Sequence, residues 1–129
     1  MVGARKVALI HPPWFTADLD KSGAEYFRSQ GFEVVHHAPA PLRSDFGEVP
    51  PAQIYDWARR NVPASAEAVV FAGNGLRTIG AIEALEQDFG RPVLSTNQVA
   101  LWHALHLAGI QSPVSHYGCI FAAGIPADP

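Results

Sequence analysis

The chain has 129 residues, of which 48% are hydrophobic and 16% are charged, and its formal net charge is −3. This length suits one domain with its own core, and the composition excludes an intrinsically disordered protein. Because the sequence has no block of like charge, no apolar run of 18 residues and only one cysteine, we expect no nucleic-acid binding, no membrane span, no internal disulfide and no Cys-clustered zinc site.

The first part of the chain predicts a strand followed by a helix. An apolar run near residues 6–10 ends at His11, and Thr16 or Asp18 can cap a helix that reaches about Gln30. The helical spacing predicts an inner face of Leu19, Tyr26 and Phe27.

A second strand is predicted near residues 32–36, after Gly31 and before a proline-rich loop. Pro50 and Pro51 suit the first turn of a second helix, because proline is favoured there. Its predicted inner residues are Ile54, Trp57, Ala58 and Val62.

Two further strand-helix pairs follow in the second half. The third strand is predicted near residues 68–72 and the fourth near 92–95, with Gly90 ending the helix between them. Asn97 is the predicted N-cap of a fourth helix over about 98–108. The predicted inner residues of these two helices are Ile79, Ile82, Leu85 and Phe89 in the third, and Val99, Trp102 and Leu105 in the fourth.

Strands that alternate with helices predict parallel pairing with right-handed crossovers. We therefore predict a three-layer α/β/α domain whose four-stranded parallel sheet has the order 2-1-3-4. Residues 1–110 form this domain, and residues 111–129 form a C-terminal arm of it. Ligands of such sheets bind beyond the carboxyl ends of the strands, which directs attention to the loops after strands one, three and four.

The loop after the third strand, Gly73–Thr78, is rich in glycine and opens a helix. Backbone amides there can face an anion, which the helix N-terminus also favours. The loop lacks the Lys-Ser/Thr ending of a Walker motif, and Gly80 falls too late for a GxGxxG motif. We predict a small carboxylate as its ligand, although these glycines could also serve only a tight turn.

The loop after the fourth strand, Ser95-Thr96-Asn97, opens the next helix. If strands three and four are neighbours, the two helix N-termini lie side by side and suit a small acid or dicarboxylate.

His11 is the candidate general acid or base, since it ends the first strand and imidazole titrates near neutral pH. A histidine that is simply hydrogen-bonded in a proline-rich turn is the structural alternative. His103 and His106 share a helix face but lack a third ligand, so we predict no metal. Cys119 lies outside the three loops, and we expect a buried, inert thiol there that is dispensable for any activity.

Several stretches together resemble the C-terminal half of maleate cis-trans isomerases, which belong with arylmalonate decarboxylases to the Asp/Glu racemase superfamily. The resemblance covers about residues 5–121 and rests on these stretches: Val70–Thr78, Ile82–Glu86, Gly90–Gln98, Leu101–Leu105 and Tyr117-Gly118. It implies one flavodoxin-like half of a two-half enzyme whose site lies in the cleft between the halves, with one catalytic cysteine in each.

This chain departs from that pattern. The family cysteine of this half falls on Gly73, the isomerase tyrosine falls near Trp14 or Phe15, and an expected asparagine falls near Arg43. A two-cysteine mechanism is therefore not expected. The resemblance does carry over a carboxylate cradle, which consists of Asn74, Gly75, Leu76 and Arg77 with Thr96 and Asn97, next to Gly73.

The resemblance leaves two function classes open. The first is an isomerase-like, racemase-like or decarboxylase-like enzyme of a small carboxylic acid, in which His11 is the evident acid or base. The second is a non-catalytic organic-acid-binding module or a subunit of a split enzyme. We expect no cofactor, because the loop after the first strand lacks the hydroxyl cluster of a flavin phosphate site.

The low charge content and the aromatic residues Trp14, Phe15 and Phe46 predict an apolar surface that a partner covers. We expect a cytoplasmic homodimer, or a pairing with a separately encoded half.

Overall fold

The structure, a computed structural model, describes residues 3–42, 49–112 and 114–122. Its four strands pair in parallel in the order β2-β1-β3-β4, as the sequence predicts. Their bounds are Lys6–His11 for β1, Glu33–Pro39 for β2, Ala68–Phe71 for β3 and Val93–Ser95 for β4. The predictions for Arg43 and Phe46 lie outside the described residues.

Four α-helices connect or follow these strands, and a short 3-10 helix lies near the C-terminus. They are α1 (Ala17–Ser29), α2 (Pro51–Asn61), α3 (Ile79–Phe89), α4 (Thr96–Leu107) and the 3-10 helix Cys119–Phe121. Across the described ranges, no helix combines the length and apolar character that crossing a membrane requires. Gly90 adopts a left-handed conformation directly after α3, as expected for a glycine that ends a helix.

The larger core lies between the sheet and the helix pair α2 and α3. Ile54 and Ala58 of α2 meet Ile82 and Leu85 of α3 over one face of β1, β3 and β4. Trp57, Val62 and Phe89 pack against this core partly buried, which confirms the predicted inner face of α2. Ile79 is an exception to the prediction for α3, because it stands at the first turn, on the side of an open cavity.

The opposite face of the sheet is covered by α1, and there the predicted inner face is partly wrong. Leu19 and Tyr26 are exposed, whereas Asp20 and Ala24 are buried and Phe27 packs on the smaller core. Residues 20, 24 and 27 share one helix face. Asp20 takes an inward position because its carboxylate bonds to two histidines of the sheet, a partnership that hydrophobicity patterns cannot detect.

Helix α4 starts earlier than predicted, and its N-cap is Ser95 instead of Asn97. The Ser95 hydroxyl accepts from the Gln98 amide at 3.3 Å, and the Gln98 side chain accepts from the Ser95 amide at 3.1 Å. This reciprocal capping box satisfies two amides at once, which explains why Ser95 is preferred. Of the α4 residues, only Gln98 is buried, and Val99, Trp102 and Leu105 are half-buried.

Three side chains of the domain bond to the described part of the C-terminal arm: Glu83 accepts from His116 at 3.3 Å, and Gln98 and Glu86 bond to its backbone. Gln98 donates to the Tyr117 carbonyl. Glu86 accepts from the Cys119 amide at 2.8 Å and, through its other oxygen, from the Val93 amide at 3.0 Å. Ile120 is fully buried. The arm is therefore anchored beside the N-terminus of α4, where it takes part in the site described next.

Candidate functional site

A cavity of about 550 Å³ opens at the carboxyl ends of β3 and β4. The loop after β3, the first turns of α3 and α4, and the C-terminal arm surround it. Its lining residues are Gly75, Leu76, Arg77, Thr78, Ile79, Ser95, Asn97, Gln98, Leu101, Val114, Tyr117 and Phe121. The cavity thus occupies the place where parallel α/β sheets bind ligands.

The cavity lining combines polar groups with apolar side chains. The N-terminal turns of α3 and α4 both reach the cavity, at Thr78 and at Asn97. Amides at helix N-termini attract anions. Among the described lining residues, Arg77 carries the only charge, and the side chains of Arg77 and Asn97 have no hydrogen-bond partner within the described chain. The arm and α4 contribute the apolar side, through Leu101, Val114, Tyr117 and Phe121.

The structure brings together four of the residues that the sequence singles out. Gly75, Leu76, Arg77 and Asn97 line one cavity although 20 to 22 positions separate the loop residues from Asn97. The remaining four, His11, Gly73, Asn74 and Thr96, are not among its lining residues. Thr96 directs its hydroxyl to the Phe71 carbonyl at 3.4 Å, and Asn74 is exposed beside Gly75.

Gly73 occupies a position that has no room for a side chain. Its φ is +89°, and a Cβ built on it would lie 2.9 Å from the Phe15 ring and 2.9 Å from Pro12. Any other residue would combine backbone strain with these contacts. The loop after β1, through Pro12 and Phe15, therefore fills the space beside Gly73.

His11 belongs to a separate buried cluster at the ends of β1 and β2. Its Nδ1 donates to Asp20 at 2.7 Å, and His37 Nδ1 donates to the other Asp20 oxygen, also at 2.7 Å. The His11 side chain is 2% exposed, against 31% for His37. The Phe15 ring stacks on His11 at 4.9 Å, and Gly23 lies so close that a Cβ there would be 2.6 Å from His11 Nε2.

Electrostatics in this cluster favour a charged Asp20. Burial raises the pKa of Asp20, but the hydrogen bonds from His11 and His37 outweigh burial, so the net shift is downward from 3.8. Burial and the neighbouring His37 lower the pKa of His36. Within the described ranges, no group of three or more His, Cys, Asp or Glu side chains has an arrangement that could hold a metal ion.

Cys119 is exposed instead of buried as predicted, and it lies outside the cavity lining. Burial of the sulfur, the hydrogen bond to Glu86 and the charge of Glu86 raise its thiol pKa to about 11. Because the thiolate is the reactive form, this cysteine is a poor nucleophile at neutral pH.

Sequence reasoning missed several residues of both clusters. Asp20 follows Asp18 in the first turn of a helix, where acidic residues are common for electrostatic reasons. Tyr117 and Phe121 lie in a segment with no periodic pattern, so only the fold shows that they reach the cavity. Ser95 and Gln98 did carry a local signal, because a serine three residues before a glutamine is a capping-box pattern.

Comparisons with known proteins agree with this architecture. A family model described as arylmalonate decarboxylase matches residues 1–121. No curated protein sequence gives a significant match.

Solved structures of two kinds of enzyme share the fold. One is a glycine-to-cysteine mutant of arylmalonate decarboxylase in a sulfate-associated form, with 23% identity and a TM-score of 0.83 over 95% of this chain and 54% of that one. The maleate isomerase Iso from Pseudomonas putida S16 has 19% identity and a TM-score of 0.84, over 95% and 50%.

A cysteine-to-serine mutant of maleate cis-trans isomerase from Nocardia farcinica, with a covalently bound succinylcysteine intermediate, has 22% identity and a TM-score of 0.82, over 93% and 49%. The chain therefore spans about half the length of the structures it matches.

Proposed function

The chain belongs to the arylmalonate decarboxylase family, and from this premise we propose that it binds a small carboxylic acid in the cavity beyond β3 and β4. The ligand carboxylate lies between Arg77 and the N-terminal turns of α3 and α4. The apolar side of the cavity, which includes Leu101 and Tyr117, receives the rest of the ligand.

The observation that carries this proposal is the unpaired Arg77 beside two helix N-termini. Each feature alone favours an anion, and together they give this cavity a local positive potential although the chain has a net charge of −3. A carboxylate is the anion that also suits the apolar lining, because its carbon skeleton can contact Leu76 and Phe121.

The geometry favours ligand binding by this chain over catalysis by this chain alone. By the sequence resemblance, Gly73 takes the place of the family cysteine of this half, and the rings of Phe15 and Pro12 occupy the space beside Gly73. Cys119 has a raised thiol pKa and lies away from the cavity. The role of His11 as a general acid or base stays a prediction, and its Nδ1 is already engaged by Asp20.

The second candidate is a catalytic unit in which this chain supplies the carboxylate cradle and a further half supplies the proton-transfer groups. The observation that favours it is the coverage, since the chain spans 49–54% of the matched enzymes. An assay of the 129-residue chain against maleate, aspartate, glutamate and malonates separates the two. Turnover that is lost in His11→Ala, with the fold retained, would support an enzyme that is complete in one chain.

Calorimetric titration with the same acids tests the binding proposal. We expect at least one acid to bind, and Arg77→Gln to weaken it about tenfold or more, because a charge-assisted contact contributes about 1.5–3 kcal/mol. Arg28→Gln, which removes the same charge from the end of α1, is the matched control and should bind like the parent chain. If no acid binds, or if both variants bind equally well, the proposal is wrong.

A further inference from the structure

Helix α4 is apolar in sequence but poorly covered in the structure. Its twelve residues include no Asp, Glu, Lys or Arg, a composition typical of a helix that is buried on most sides. Only Gln98 is buried, whereas Leu101 is exposed and Leu107 is 74% exposed, with the exposed Ile110 just beyond the helix. The contacts of α4 are mainly with β4 and the 3-10 helix.

The sheet beside α4 has a face that is incompletely covered. On the face that α1 partly covers, the described chain leaves a groove of about 710 Å³. Val70 and Ala72 of β3 and Leu94 of β4 line it together with Phe27 and Phe32 on one side and the first turn of α4, at Thr96 and Val99, on the other. A parallel sheet is normally covered by helices on both faces, so the strip of sheet between α1 and α4 lacks one.

We propose that the groove receives the outer face of α4 from a second copy of this chain, in a reciprocal exchange about a twofold axis. The inference stands independently of the carboxylate proposal. One chain carries both a helix that contacts the sheet mainly at β4 and a strip of sheet face that no helix of the described chain covers. A twofold axis places α4 of each copy in the groove of the other copy, so that both helices and both grooves become buried. This is the geometry of a closed, self-complementary dimer.

Charge and area agree with this occupant. The helix has no charged side chain, and Arg5 is the one charged residue among those that line the groove. A highly charged partner would therefore find few complementary charges in the groove, whereas the uncharged helix α4 needs none. A 12-residue helix is about 18 Å long and about 10–12 Å wide. If half of its circumference is buried in the groove, two helices and two grooves together bury roughly 1,100–1,400 Å². This area falls at the lower end of the range for stable interfaces, about 1,200–2,000 Å².

Light scattering on the 129-residue chain tests the exchange. We expect a particle of twice the 13.9 kDa chain mass at micromolar concentrations. Leu107→Glu, on the outer face of α4, should give a monomer or weaken dimerisation at least a hundredfold. Leu19→Glu, an equally drastic change at another exposed leucine, is the matched control and should remain dimeric. A monomeric parent chain, or a dimer that Leu107→Glu leaves intact, would overturn the proposal.

If Leu107→Glu fails to fold, disulfide cross-linking between two copies tests the proposed dimer instead. On a Cys119→Ser background, Leu107→Cys and Ala72→Cys chains are prepared separately, mixed under denaturing conditions, refolded together and oxidised. A mixed disulfide that joins the two chains supports the exchange. The control pair, Leu19→Cys with Ala72→Cys, should give none. Equal cross-linking in both pairs, or in neither, contradicts the exchange.

Discussion

Two polar clusters lie at the carboxyl edge of the same sheet, and they differ in what satisfies their side chains. At the ends of β1 and β2, His11 and His37 each donate to one carboxylate oxygen of Asp20. At the ends of β3 and β4, Arg77 and Asn97 face a cavity without a partner in the described chain. A closed network holds a fold in place, whereas open polar groups in a cavity can bind a ligand. In the binding proposal, the first cluster contributes to stability and the second to recognition of the ligand.

Asp20→Ala gives the largest expected effect and tests the structural role of the first cluster. It removes the partner of two histidines in a largely buried pair, so we expect a loss of about 3 kcal/mol in the free energy of unfolding. Urea denaturation measures this loss. Asp18→Ala removes an exposed acid from the same helix turn and should cost less than about 1 kcal/mol. Equal losses in both variants would contradict the assignment.

Acidification should remove the same contribution in the parent chain. Because the pKa of folded Asp20 lies below its unfolded value of 3.8, the stabilisation is fully present above that value and is lost as the pH falls through the folded pKa. The difference in unfolding free energy between the parent chain and Asp20→Asn should therefore narrow as the pH falls below about 4. Urea titrations between pH 5 and the acid limit of folding measure it, and a widening difference would be the contrary result.

Gly73 lies at the boundary between the two clusters, and substitution there should cost about 2 kcal/mol. Gly73→Ala combines a positive φ with contacts to Phe15 and Pro12. Gly31→Ala is the matched control, because Gly31 has a φ of +90° but open space around its Cβ position. We expect Gly31→Ala to cost about 1 kcal/mol. If thermal or urea unfolding shows the same loss of unfolding free energy in Gly73→Ala and Gly31→Ala, the contacts with Phe15 and Pro12 do not destabilise the Gly73 variant.

We expect substitution of Ser95 to lower stability and substitution of Asn97 to weaken ligand binding. Ser95→Ala removes the observed cap of α4 and should lower the unfolding free energy by about 1 kcal/mol. Asn97→Ala should leave stability within about 0.5 kcal/mol, since Asn97 is exposed in the first turn, but it should weaken carboxylate binding. Urea denaturation measures the unfolding free energy of both variants, and calorimetry measures their carboxylate binding. A larger loss of stability in Asn97→Ala than in Ser95→Ala would indicate that Asn97 is the cap.

Cys119→Ser gives the smallest expected effect. Because a thiol with a pKa of about 11 is almost fully protonated at neutral pH, we expect slow alkylation by iodoacetamide near pH 7.5 and a rate that rises with pH. The serine variant should match the parent chain in carboxylate binding. Rapid alkylation at neutral pH, or loss of binding in the serine variant, would assign the arm a chemical role.

The fold was predictable because its signals are local. Four apolar runs separated by helical spacings predict four parallel strands joined by helices, and Thr16 and Gly90 mark helix ends by side-chain and backbone preferences alone. The errors fall where a distant partner decides the outcome. Asp20 turns inward because of His11 and His37, and Leu19 is exposed as a consequence.

The candidate site was predictable in part. Gly75, Arg77 and Asn97 follow directly from the rule that ligands bind at the carboxyl ends of parallel strands. Tyr117 and Phe121 could not be found in this way, because a segment with no helical or strand period gives no indication of where it folds back. The contacts of Gln98 and Glu86 with that segment are tertiary, and no local pattern encodes them.

Amide chemical shifts during a maleate titration test the assignment of the two clusters most directly. With ¹⁵N-labelled chain at millimolar maleate, we expect the largest changes at Gly75–Ile79 and at Thr96–Gln98, and only small changes at His11, Asp20 and His37. Arg77→Gln should reduce the former changes at the same maleate concentration. Changes centred on His11 and His37, with the cavity amides unmoved, would show that the roles of the two clusters are reversed.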